Sequence, residues 1–231
     1  MTKQWSIDLP TNDCMVNAMV SSDQMIFTGC GDNNIYGFDI ETHKQTICLS
    51  QHKDYINCIL LSNDKQMLYS GGEDGSVLFW DLRCHKKSVS EISPHLNSQL
   101  SRPNYGKWIG ALTQTSNDWL LCGGGPHLSL WHLNSLSFAT KFETESTTNT
   151  IQSLNDFIIS GGNASELQIW EMNGELKSVI PTAVNNIFSI STFVYDDNDL
   201  GVKQLITCAG MSYKIDICTN SKYKDFELIV Y

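Results

Sequence analysis

The sequence predicts an all-β fold in which one four-stranded unit is used five times. Three observations carry this. Short apolar runs alternate with turn-forming residues along all 231 residues, and no stretch keeps an amphipathic helical period. The stretch 67–83 sets two apolar runs around a Gly-Glu-Asp-Gly turn and closes on Trp80-Asp81. Its Asp74-Gly75 pair is a hairpin signal, because such turns often need a positive φ that glycine accepts without a Cβ clash. Finally, the closing pair recurs as Phe38-Asp39, Trp131-His132, Trp170-Glu171 and, in degraded form, Ile217-Cys218, giving marker intervals of 42, 51, 39 and 47 residues.

The totals narrow the class further. With 41% hydrophobic and only 17% charged residues, the composition is that of a globular protein with a sizeable core, not a disordered chain. The formal net charge of -10 disfavours direct nucleic-acid binding, which needs a basic footprint. None of the eight cysteines forms a Cys-x-x-Cys pair, and several lie in apolar runs, so they read as reduced, buried thiols of a reducing compartment. No metal and no cofactor is expected. Residues 1–5 lack the apolar core of a signal peptide, and no apolar run is long enough to span a membrane.

In chain order, residues 4–9 read as one strand ended by Pro10. The first unit, 13–50, has strands at 15–20, 25–29, 35–40 and 46–50. The second, 51–93, has them at 55–61, 67–71, 76–82 and 88–92. The third, 107–143, has strands at 109–113, 119–123, 128–133 and 138–142. The fourth, 148–181, follows with 150–154, 157–161, 167–172 and 176–180. The fifth, 185–231, closes with 187–194, 204–208, 213–218 and 226–230. The two long intervals come from an insert at 94–107 and a polar hairpin at 196–201; elsewhere connections are short and mark no domain boundary.

Four strands per repeat of about 40–45 residues is the pattern of WD repeats, the blades of a β-propeller. The chain resembles that family over essentially its whole length, with the second unit as the best copy. More narrowly, it resembles the WD-repeat family of sixth THO-complex subunits. That likeness rests on Ser101-Arg102-Pro103 leading to Trp108-Ile109-Gly110, and on Asp118-Trp119 leading to Cys122-Gly123-Gly124-Gly125-Pro126. Leu130-Trp131-His132-Leu133, Gly174-Glu175-Leu176-Lys177 and the closing Cys208-Ala209-Gly210 to Thr219-Asn220 add to it. The resemblance implies a seven-bladed ring. Five blades and residues 4–9, read as the outer strand of a blade whose other strands are missing, then suggest an amino-terminal truncation, with an exposed face and edge.

The resemblance also implies a hydrogen-bonded tetrad of His52, Ser70, Asp74 and Trp80. The residue types suit it: the indole only donates, the hydroxyl does both, the imidazole bridges and the carboxylate accepts. His52 and Asp74 are thus structural rather than a catalytic pair. The other units keep less of the tetrad: Thr28, Asp32 and Phe38 in the first, Cys122 in place of the hydroxyl in the third, Ser160 and Trp170 in the fourth.

No enzyme motif competes. There is no Gly-x-x-x-x-Gly-Lys loop and no Gly-x-Ser-x-Gly elbow, and the run Gly123-Gly124-Gly125-Pro126 is followed by a strand rather than a phosphate-binding helix. Recognition is expected on the face that carries the 94–107 insert and the 124–127 turn. There Arg102, Tyr105, Lys107 and His127 form an aromatic and cationic candidate cluster for a protein partner. The resemblance implies a non-catalytic scaffold among THO/TREX subunits, nuclear, meeting RNA mainly through partners. The competing reading is a substrate receptor of a cullin-type ubiquitin ligase, from the Trp80-Asp81-Leu82-Arg83 pattern.

Overall fold

The computed structural model describes residues 6, 9, 14–84, 87–116, 118–197 and 201–230. The expected strand at 4–9 falls largely outside them; the described Ser6 and Leu9 lie in no strand.

Twenty strands form five antiparallel four-stranded sheets, each a meander. The first holds β1 (Val16–Ser21), β2 (Met25–Cys30), β3 (Asn34–Asp39) and β4 (Gln45–Ser50). The second holds β5 (Ile56–Leu61), β6 (Met67–Gly72), β7 (Val77–Asp81) and β8 (Ser90–Ile92). The third has β9 (Ile109–Ser116), β10 (Trp119–Gly124), β11 (Ser129–His132) and β12 (Ser137–Lys141). The fourth has β13 (Thr148–Leu154), β14 (Phe157–Gly162), β15 (Glu166–Glu171) and β16 (Leu176–Pro181). The fifth has β17 (Ile187–Asp197), β18 (Gly201–Gly210), β19 (Lys214–Cys218) and β20 (Phe226–Ile229). Two short 3-10 turns, Pro94–Leu96 and Pro103–Tyr105, shape the insert. Among the described residues no helix is long and apolar enough to cross a membrane.

Sheets pack face to face in chain order. Each first strand meets the next, β1 on β5, β5 on β9, β9 on β13 and β13 on β17, so the sheets form an arc around those strands. Each interface has its own apolar core. Phe27, Ile35 and Leu49 meet Ile56, Leu68 and Trp80 between the first two sheets; Tyr69 and Phe79 meet Ile109, Leu120 and Trp131 between the next two. Leu121 and Phe142 then meet Ile158 and Trp170, and Ile169 and Ile180 meet Ile187, Ile206 and Cys218. Middle strands are therefore buried on both faces, as in β6, whereas β4 alternates, with Ile47 and Leu49 inward and Cys48 and Ser50 outward. Met19 of the first sheet and Phe226 and Leu228 of the fifth stay exposed, as do Met15 and Tyr213 just before β1 and β19.

Two details repeat with the sheets. Every first strand carries a bulge opposite the end of the second, skipping residues 17, 57, 110, 149 and 188. At two of these, Asn17 Nδ2 donates to the Ile56 carbonyl at 3.0 Å and Asn149 Nδ2 to that of Ile187 at 3.3 Å, tying one sheet to the next. The cross-strand register also places the marker side chain. Ile26↔Phe38, Leu68↔Trp80, Leu120↔Trp131 and Ile158↔Trp170 are matched in the fifth sheet by Ile206↔Cys218. The marker slot there holds Cys218, buried in the core shared with the fourth sheet, and not Ile217 as the sequence suggested. In Lys214-Ile215-Asp216-Ile217-Cys218 the alternation puts Ile215 and Ile217 on the apolar face, whereas the marker slot lies on the face that carries the buried Asp216, so the pattern points to the wrong neighbour.

Candidate functional site

His52, Ser70, Asp74 and Trp80 come from four places in the second sheet: the entry to β5, the middle of β6, the β6–β7 turn and the end of β7. Trp80 Nε1 donates to Ser70 Oγ at 2.8 Å, Ser70 Oγ lies 2.7 Å from His52 Nε2, and His52 Nδ1 lies 2.9 Å from Asp74 Oδ2. One neutral tautomer satisfies every group: Ser70 O–H donates to Nε2, and Nδ1–H donates to the carboxylate. Asp74 also accepts from the Lys53 amide at 2.8 Å and from the amide and hydroxyl of Ser76 at 3.0 and 2.8 Å. Burial alone would raise its pKa, but the bonds from His52 and the Lys53 amide outweigh this and hold the carboxyl well below the usual range. The Ser70 hydroxyl is fully buried between indole and imidazole, so the arrangement offers no attacking group to a substrate.

The other sheets solve the marker differently. Trp170 Nε1 donates to Ser160 Oγ at 2.9 Å, the counterpart of the Trp80–Ser70 bond. In the third sheet Cys122 holds that hydroxyl's place, and Trp131 Nε1 instead donates to Ser129 Oγ, two residues back on its own strand, at 2.9 Å. The Cys122 thiol lies 3.3 Å from the same oxygen, and its burial pushes its pKa up to about 12. In the first sheet Tyr36 O–H donates to Asp32 Oδ2 at 2.6 Å and the Asn34 amide to Oδ1 at 3.2 Å. All eight cysteines are free, as expected; five are buried, Cys14 is half-buried, and Cys48 and Cys84 are exposed, where buried thiols were expected.

The insert is anchored by Leu100, fully buried between the second and third sheets. Beside it, Arg102 reaches into the third sheet. Its Nε donates to the Gly125 carbonyl at 2.9 Å, Nη1 to those of Thr144 and Ser146 at 2.7 and 3.1 Å, and Nη2 to those of Gly124 and Pro126 at 3.4 and 3.1 Å. A guanidinium has five N–H groups. All are taken by carbonyls of this chain, so Arg102 builds the face and has no donor left for a partner. Burial lowers its pKa, opposed by Tyr105, whose ring lies 4.6 Å under the guanidinium. Gly124 and Gly125 are explained by the same packing: a side chain on either would run into the backbone of residues 105–109.

The four candidate recognition residues therefore divide. Tyr105 is 44% exposed, with its hydroxyl donating to the Glu145 carbonyl at 3.0 Å, and leaves a ring edge to solvent. His127 is mostly covered; burial and then the Arg102 charge lower its pKa against the pull of Glu143, 3.8 Å away, and its Nδ1 is buried without a hydrogen bond. Lys107 is exposed and lines a groove of about 450 Å³ with Lys53, Asp54, Glu91 and His95, between the β6–β7 turn and the insert. Arg102, Tyr105 and His127 thus share one set of loops, and of the four only Tyr105 and Lys107 offer themselves to a partner. Arg83, from the ligase-type pattern, folds onto Asp81 with Nε–Oδ1 2.9 Å and Nη2–Oδ2 2.7 Å.

Comparisons with known proteins agree with this architecture. The family described as WD domain, G-beta repeat matches residues 43–81, from before β4 to the end of β7. A computationally designed protein, Ika8, superposes with a TM-score of 0.73 over 97% of this chain and 65% of its own, at 14% identity, which speaks to fold alone. Among curated proteins, THO complex subunit 6 of Homo sapiens and its homolog of Mus musculus are each 34% identical over 223 residues, 96% of this chain. The chain spans 64% of the length of both. The homolog of Danio rerio is 34% identical over 225 residues, covering 96% of this chain and 67% of its own. Sheets, tetrad and repeat together define a WD-repeat β-propeller protein. Within that class, the chain belongs to the THO complex subunit 6 family.

Proposed function

We propose that the chain is a non-catalytic WD-repeat scaffold subunit of the THO/TREX assembly, acting in the nucleus where transcription and mRNA processing are coupled to mRNA export. The carrying observation is the 34% identity to THO complex subunit 6 sustained over 96% of the chain. Three features of the molecule support it. The polar tetrad is consumed in holding strands. The five sheets suit an arc of the seven-bladed ring that the family resemblance implies, each sheet with its connections being one blade. The net charge of -10 favours meeting RNA through partner subunits. Contact with those partners is assigned to the insert face, through Tyr105 and Lys107.

Affinity purification of the tagged chain from nuclei, followed by mass spectrometry, tests both parts. THO subunits are expected among the recovered proteins, and Tyr105→Ala combined with Lys107→Glu is expected to lower their recovery several-fold. Unchanged recovery with the folded variant would remove the insert face from the proposal. Recovery of cullin adaptor proteins in place of THO subunits, abolished by Arg83→Ala, would replace the scaffold reading with a ubiquitin-ligase receptor.

A further inference from the structure

The first sheet departs from the tetrad in a patterned way. Its register on β2–β3 is that of the second sheet on β6–β7: Gly29↔Ile35 matches Gly71↔Val77, and five residues separate each pair. Asp32 therefore stands where Asp74 does, and Cys30 stands where Gly72 does. In the second sheet a Cβ on Gly72 would lie 3.1 Å from His52 Nδ1 and 3.3 Å from Asp74 Oδ1. The first sheet has no histidine there, and the Cys30 side chain projects toward the corresponding place. Cys14, from the segment entering β1, comes in beside it. The two thiol sulfurs and an Asp32 carboxylate oxygen all lie within 4.8 Å of one another.

We propose that Cys14, Cys30 and Asp32 form a binding site for a thiophilic divalent cation of the zinc type. Two sulfurs and one carboxylate are a zinc donor set, with a solvent molecule as the fourth ligand, and the soft sulfurs select against magnesium and calcium. Zinc–sulfur and zinc–oxygen bonds of about 2.3 and 2.1 Å put tetrahedral donors roughly 3.4–3.8 Å apart, so the trio needs to close by at most about 1 Å. On binding, the two thiols release their protons to solvent and no electron is transferred. Outer support is already in place. Tyr36 O–H and the Asn34 amide orient the Asp32 carboxylate, and Asn34 Nδ2 lies 3.3 Å from the Tyr36 hydroxyl. Cys30 is fully buried, whereas Cys14 and Asp32 are only partly covered, which leaves an entry path. The fifteen residues separating Cys14 from Cys30 match no metal-ligand spacing, so pairing of β1 with β2 is what assembles the site.

The test is a cobalt(II) titration of the full chain, reduced and stripped with chelator, with zinc(II) displacement as the second step. The expected result is one equivalent of cobalt with thiolate-to-metal charge-transfer absorption, erased by zinc. Cys14→Ser and Asp32→Asn are expected to weaken binding by roughly tenfold or more, and Tyr36→Phe by up to about tenfold. Neither Cys14→Ser nor Asp32→Asn alters the buried Cys30, so both are expected to fold, as circular dichroism would check. A Cys48→Ser, Cys84→Ser double variant removes the two exposed thiols and should leave the signal intact. The proposal is overturned by absence of the charge-transfer band, by its persistence in Cys14→Ser, by its loss in the double variant, or by a Cys14–Cys30 disulfide forming with no cobalt uptake.

Discussion

Gly71 lies directly against Ile109, the first residue of the next sheet: a Cβ on Gly71 would stand 2.6 Å from Ile109 Cγ2. The contact repeats at equivalent register positions. A Cβ would stand 2.7 Å from Ile56 Cγ2 on Gly29, 2.9 Å from Thr148 Cβ on Gly123 and 2.9 Å from Ile187 Cγ2 on Gly161. Each glycine lets a β-branched side chain at the head of the following first strand pack onto the sheet. The fifth sheet has Ala209 at this register, and no further described sheet follows it.

Gly71→Ala should therefore destabilise the protein by about 2 kcal/mol, through overpacking of a tight joint. Ala209→Gly should cost under about 1 kcal/mol, the entropic penalty of glycine in a strand. Urea unfolding followed by tryptophan fluorescence measures both. Equal effects at the two positions would show that the joint is not what demands glycine.

The Trp131–Ser129 bond predicts a rescue. Ser129→Ala leaves the buried indole N–H without an acceptor and should cost about 1–2 kcal/mol. Cys122→Ser places a hydroxyl where Ser70 and Ser160 serve the other tryptophans. The double variant, Ser129→Ala with Cys122→Ser, should recover most of the loss in urea midpoint. If both substitutions simply add, the slot of Cys122 does not face the indole.

Arg102 holds carbonyls from two connections of the third sheet. Arg102→Ala should destabilise by about 3 kcal/mol, since five carbonyls lose a charged donor. Arg102→Lys should recover little, because an ammonium lacks the planar fork. Hydrogen exchange should quicken at the Gly125 and His127 amides, which bond the Trp108 and Leu100 carbonyls on the insert side. Exchange unchanged there would mean that the guanidinium does not tie the insert to the sheet.

These residues also show what was legible in the sequence. Trp80, Asp74-Gly75 and the repeat spacing announced the five sheets, because hairpin turns and aromatic markers are local signals. His52 and Ser70 were placed by the family pattern on which that unit lies. The acceptor for Trp131 was not legible, since one strand offered an obvious cysteine and another an unremarked serine. Nor was the role of Arg102: its acceptors lie more than twenty residues downstream, and a cation next to a tyrosine reads equally as a contact or a clamp. The demand for glycine at 124 and 125 comes from the backbone of residues 105–109, and that at 123 from Thr148 of the next sheet, contacts that no local pattern announces.

The Asp74 carboxylate supplies a prediction with a defined pH dependence. Its folded pKa is depressed, so it contributes stability that is fully present above the unfolded value of about 3.9 and is lost as the pH falls through the folded value. Asp74→Asn should cost about 2 kcal/mol at neutral pH, because the amide cannot replace the charge that accepts from His52, Lys53 and Ser76. The difference between the wild-type and variant proteins should stay level from pH 7 down to about 5 and narrow below about 4, as Asp74 of the unfolded wild-type chain begins to take up a proton that the folded chain does not. Urea unfolding of both proteins across that range measures it. A gap that stays constant into the acid range, or that widens there, would show that the charge on Asp74 is not the source of the stabilisation, and would leave the hydrogen-bond geometry alone to account for the tetrad.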